Sequence, residues 1–153
     1  MTQADAAFAR KEYRVAQNLY TKATKYSSNK LTLDDAVMRG QECFAAIQRE
    51  NEILLRTQLQ DIARAKQLYA RRDYEESYEL FQKHERNLDQ EATYLFGRLL
   101  YYNYGNIIRK KGLDKRGTIA LGRFYISLAA REDFRRGLTD SKALNLYYQM
   151  LRE

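Results

Sequence analysis

No proline interrupts this chain anywhere in its 153 residues, and only seven glycines do. Proline breaks a helix interior and glycine loosens it, so their scarcity lets helices run long. Most other residues are good helix formers (Ala, Leu, Arg, Gln, Glu, Lys). No stretch alternates apolar and polar residues at period two, as a half-buried strand would. The sequence predicts an all-α fold in one domain, 1–153, large enough to bury a core.

A pattern recurs within it. In RKEYRVAQNLYTKA, Tyr13, Ala16, Tyr20 and Ala23 share one helical face. The segment AKQLYARRDYEESYELF repeats the theme: with Tyr13 set on Tyr74, Ala4 falls on Ala65, Ala7 on Leu68, Ala16 on Ser77 and Tyr20 on Phe81. Half-copies follow in LFGRLLYY, around Gly97 and Leu100, and in ALGRFYI, with Leu121, Gly122 and Tyr125; DSKALNLYYQM adds Ala143, Tyr147 and Met150. Small residues let helices approach closely, and neighbouring aromatics restore buried apolar area. The period predicts helices over 2–11, 14–27, 33–49, 52–71, 75–87, 90–110, 117–130 and 139–152. Thr32 and Asp35 form a cap-like pair. Breaks are expected at SSNK (27–30), Arg72–Asp73, Gly112 and Gly137, with a weaker one at Asn51 that leaves a single bent helix over 33–71 as the alternative.

Tyr13-x-x-Ala16-x-x-x-Tyr20-x-x-Ala23 resembles the second helix of the tetratricopeptide repeat (TPR), and Leu121-Gly122-x-x-Tyr125 resembles the first. The resemblance covers about two-thirds of the chain, and extra length at 129–139 is similar to Sel1-type repeats. It departs from the family where Ser77 and His84 replace alanines, where the usual prolines are missing, and where residues 31–57 form an atypical unit. The resemblance implies a TPR-like α-solenoid of seven or eight helices in antiparallel pairs. It further implies a concave groove lined by the residue after each small one, here Asp5, Lys66, Arg98 and Arg123, and by the residue three further on, Phe8, Tyr69, Tyr101 and Ile126. Tyr94, Tyr102 and Arg116 are expected nearby. Cations beside aromatic surfaces suit carboxylates and apolar side chains. The groove residues expected are therefore Lys66, Tyr69, Tyr94, Arg98, Tyr101, Tyr102, Arg116 and Arg123, receiving an acidic or amphipathic peptide or helix of another protein, as an adaptor or secretion chaperone does. Asp5 stands where the carboxylate-clamp type of TPR wants Asn, which argues against heat-shock chaperone tails.

Charge favours acidic partners: net +7 overall, with twelve Lys/Arg against five Asp/Glu in residues 92–153. RKKGLDKRG (109–117) reads as a solvated basic loop, with an acidic protein and then nucleic acid as further readings. The amphipathic last helix (Leu146, Tyr147, Met150, Leu151) raises self-association through terminal helices, or a piece of a longer solenoid. Enzymatic residues are lacking. His84 is the only histidine and reads as a packing residue, no phosphate-binding GxxxxGK[ST] or GxGxxG run occurs, and Glu75, Glu76 and Glu79 read as a solvated face. The expectation is a non-enzymatic scaffold with no cofactor and no metal. Cys43, alone, reads as a small buried hydrophobe in a reducing compartment. Without a signal peptide or an apolar run near ~20 residues, the expectation is a cytoplasmic or other intracellular protein away from membranes.

Overall fold

A computed structural model describes residues 2–26 and 30–153, and the side chains of all of these except 30–32. Its elements are α1 (Gln3–Ala9), α2 (Tyr13–Tyr26), α3 (Lys30–Ala70), α4 (Tyr74–Lys83), α5 (Gln90–Tyr101), α6 (Ile107–Lys110), α7 (Lys115–Arg135) and α8 (Lys142–Arg152), with single 3-10 turns at Glu85–Asn87 and Tyr104–Asn106. Among the described residues there is no strand, and no helix is long and apolar enough to cross a membrane. The chain forms two compact units, Met1–Thr57 and Gln58–Glu153.

Several boundaries differ from those expected. Residues 33–71 do not divide at Asn51: α3 is one helix, because no glycine or proline follows Gly40 within it and Asn51 faces solvent. The Thr32–Asp35 cap has no place, since α3 already begins at Lys30; the Thr32 side chain, like residues 27–29 of the SSNK break, lies outside the described residues. The helix expected over 90–110 stops at Tyr101. Asn103, Gly105 and Asn106 take left-handed φ of 51°, 65° and 56°, a conformation that Asn and Gly adopt at least cost. Glu75 and Glu79, read as solvated, pair instead with the basic loop: Lys110 reaches Glu75 at 3.4 Å, and Lys111 reaches both Glu75, at 3.3 Å, and Glu79.

The echoed segments build the same reversal. After α1 the Lys11 N–H donates to the Phe8 carbonyl and the Glu12 N–H to that of Ala7; after α3 the Arg72 N–H donates to Tyr69 and the Asp73 N–H to Leu68. This is the Schellman closure, with Lys11 at φ 61° and Arg72 at φ 68° in its left-handed position. Gly112 and Gly137 close α6 and α7 in the same way.

In the first unit Ala4, Ala7, Ala16, Tyr20 and Cys43 form the core, and Cys43 is a free, fully buried thiol. Ala16 and Tyr20 are buried, Tyr13 is half-buried against Phe8, and Ala23 is exposed. Thr2 caps α1 with Asp5, and the Tyr20 hydroxyl donates to the free oxygen of the same carboxylate. In the second unit Ser77, aligned with Ala16, is also fully buried, and its hydroxyl donates to the Ala65 carbonyl at 2.8 Å. The hydroxyl satisfies itself on the facing backbone, so serine fits where the pattern wants alanine. His84 ends α4, and its ring nitrogen lies 2.8 Å from Asp61, so it is a hydrogen-bond partner and not only a filler between helices.

Gly97 and Gly122, expected as equivalent positions on successive first helices, instead face each other. A Cβ on Gly122 would lie 2.6 Å from the Tyr101 nitrogen and 2.8 Å from the Gly97 oxygen; one on Gly97 would lie 3.0 Å from the Gly122 oxygen and Ile126. The register, 97 against 126 and 101 against 122, makes α5 and α7 antiparallel neighbours, and α8 packs on α7 through Ala129, Ala130, Ala143 and Leu144.

Three outcomes follow. Gly122→Ala drives a methyl into backbone and costs about 1–3 kcal/mol in chemical denaturation, whereas Gly40→Ala, with open space around its Cβ in mid-helix, gains about 0.5–1 kcal/mol. Arg72→Gly relieves a left-handed arginine and stabilises by about 0.5–1 kcal/mol in the same assay. The Tyr20 hydroxyl, and then Thr2, hold the Asp5 carboxyl at about 2, down from 3.8, so this contact is complete above about pH 4 and is lost as pH falls toward 2. Burial and then Asp5 push Tyr20 from 10.0 up to about 12, so the contact also fails as pH rises through that value. Tyr20→Phe returns Asp5 toward 3.8, read by NMR titration of the carboxyl carbon.

Candidate functional site

The eight residues expected to line a groove all fall in the second unit, and the structure sorts them into three groups. Lys66, near the end of α3, is committed: its ammonium lies 2.9 Å from Asp89 and 2.8 Å from Glu91 at the start of α5. Arg123, one residue past Gly122 on α7, leans over the Tyr101 ring at 5.5 Å and lies 3.5 Å from the Glu153 carboxylate, which accepts the Tyr101 hydroxyl at 2.6 Å. That hydrogen bond, and then burial, push the Tyr101 phenol up from its ordinary value. Arg116 is exposed in the first turn of α7 and joins none of these contacts. The expectation that it stands with the others is not met, because the α5/α7 register puts residue 122, not 116, opposite Tyr101.

The third group centres on Arg98. Its side chain, one residue past Gly97 on α5, stands in a cage of rings. The guanidinium carbon stands 5.7, 5.8 and 5.9 Å from the centroids of Tyr94, Tyr102 and Tyr104. Tyr104 stacks on Tyr102 at 5.4 Å and on Tyr74 at 5.0 Å, and Tyr69 meets Tyr74 and Tyr104 edge-on. Burial pushes the Tyr69 and Tyr94 phenols up. Arg98 donates from Nη2 to the Tyr104 hydroxyl at 3.1 Å, while its Nε is buried and meets no acceptor among the described residues. A guanidinium stacked on rings keeps its in-plane N–H groups for a planar acceptor such as a carboxylate.

Sequence reading thus brings together Tyr69, Tyr94, Arg98 and Tyr102, and beside them Tyr101 with Arg123, the two groups meeting where the Tyr101 and Tyr102 rings touch edge-on at 4.9 Å. It misses Tyr104, which only the unexpected turn at Asn103–Asn106 folds back onto Arg98; the visible signal was the Asn-Tyr-Gly-Asn run itself. It also misses Glu153, which nothing local to its sequence points to. Among the described residues no group of three His, Cys, Asp or Glu side chains is placed to hold a metal ion.

Glu153→Gln removes the charged acceptor and lowers the Tyr101 pKa toward the ordinary phenol value, with the other tyrosines unmoved in a tyrosine-resolved NMR titration. Compared with protein-family models, curated proteins and solved structures, the chain matches none.

Proposed function

We propose that this chain is a non-enzymatic, TPR-like helical-repeat scaffold that holds an acidic, partly apolar segment of another protein on the tyrosine-lined face of α5. The observation that carries the reading is Arg98. Lys66 and Arg123 already have carboxylates of this chain at 2.8–3.5 Å. Arg98 joins no ion pair among the described residues, and its one side-chain hydrogen bond goes to the neutral Tyr104 hydroxyl. Three tyrosine rings around it offer apolar area and hydroxyls at small entropic cost. The repeated Schellman reversals, and the small-residue positions Ala16 and Ser77, support helix pairs of the TPR type.

The basic loop at 109–117 lends less to a nucleic-acid reading than its sequence promises, because Lys110 and Lys111 are partly neutralised by Glu75 and Glu79. A partner held by one or two carboxylates shows a shallow fall of log affinity with log salt, while a phosphate backbone shows a steep one.

The test is affinity capture by the full chain with cross-linking mass spectrometry, run in parallel on Arg98→Gln. Acidic segments cross-linked beside α5 and reduced at least about tenfold in Arg98→Gln fit the proposal. The same partners captured equally by both proteins contradict it.

A further inference from the structure

Arg98 also borders a pocket of about 380 Å³ walled by α5, α7 and the first turn of α8. Four charged side chains reach it: Glu91, Arg98, Asp133 and Lys142. The two acids are committed within the chain. Glu91 pairs with Lys66 at 2.8 Å, and Asp133, nine-tenths buried, accepts from the Gln90 side-chain amide, which also donates to the Ala129 carbonyl at 3.1 Å. The two cations are not committed to an acid: among the described residues neither Arg98 nor Lys142 forms an ion pair, and Arg98 donates only to the neutral Tyr104 hydroxyl. Between them the wall is apolar, made by Leu95, Ala129, Ala143 and the Tyr94 ring.

We infer that this pocket anchors the acidic partner: one Asp or Glu carboxylate enters between Arg98 and Lys142, and an apolar or aromatic side chain next to it rests on the Leu95–Ala143 wall. The inference rests on the proposed function and adds where the partner is gripped, by which second cation, and with what neighbouring residue. Arg98 and Lys142 are the pocket's cations without an ion pair, while Glu91 and Asp133 oppose any anion, a dianionic phosphate about twice as strongly as a monoanionic carboxylate. Arg123 is not the anchor, because Glu153 already holds its seat.

The experiment selects phage-displayed random peptides on the full chain, then measures the synthesised consensus peptide against Arg98→Gln, Lys142→Glu and Arg123→Glu. Lys142 is exposed, so its reversal leaves the fold intact, and melting curves check the Arg98 variant. The expected consensus has Asp or Glu beside Leu, Tyr or Phe. Its affinity falls about tenfold or more with Arg98→Gln and Lys142→Glu, but less than about threefold with Arg123→Glu. Replacing the peptide's acid by its amide removes the Lys142 sensitivity. An acidic consensus that depends on Arg123 and ignores Lys142 overturns this inference and leaves the proposed function standing. A consensus without an acidic residue overturns both. Stronger competition by inorganic phosphate or a phosphotyrosine peptide than by the consensus peptide overturns the carboxylate assignment.

Discussion

The second unit depends on one contact between bare backbones. Gly97 on α5 and Gly122 on α7 meet where a Cβ on Gly122 would lie 2.6 Å from the Tyr101 nitrogen and one on Gly97 would lie 3.0 Å from the Gly122 oxygen. A side chain on Gly122 would push the helices apart. With the helices held this close, Ile126 is fully buried and Arg123 of α7 lies over the Tyr101 ring of α5, while the rings around Arg98 all come from α5 and the turn after it. Arg98, the residue proposed to bind, is the immediate neighbour of Gly97. A packing contact and a recognition surface share one turn of α5.

Around that contact, charge is distributed by commitment more than by count. The chain carries +7, yet most basic side chains near α5 already answer an acid: Lys66, Lys110, Lys111 and Arg123 all do. Exposed pairs of this kind contribute little to stability, about 0–1 kcal/mol each, but they decide which cations are left to meet a partner. Arg98 differs in standing over tyrosine rings with no ion pair among the described residues. Its tyrosine neighbours supply what an exposed lysine cannot: a fixed orientation and a partly desolvated setting in which a charge-assisted hydrogen bond is strengthened.

Much of the helical architecture was legible in the sequence, because it follows from periodicity and from missing proline. The reversals at Arg72, Gly112 and Gly137 fell where turn chemistry placed them. Two kinds of information were not local and could not be read. LFGRLLYY and ALGRFYI look alike, and likeness suggested the same role in successive repeats; two small residues also serve when they face each other, and sequence similarity does not distinguish the cases. Asn103, Gly105 and Asn106 were overruled by the helical pattern on either side of them, although each alone favours a left-handed turn. The pairing of Lys111 with Glu75 and Glu79, and the presence of Lys142 in the pocket that Arg98 lines, depend on tertiary proximity that no spacing encodes.

The central claim is that Arg98 stands in a cage of tyrosine rings completed by the turn after α5. The most direct measurement is the NMR shift of the Arg98 side-chain protons, which rings at 5.7–5.9 Å displace upfield from those of the other arginines. The account predicts that Tyr104→Ala diminishes this displacement while Arg39, in the first unit, keeps its shift. An Arg98 signal at the shift of the other arginines, or an upfield signal undiminished in folded Tyr104→Ala, would contradict it.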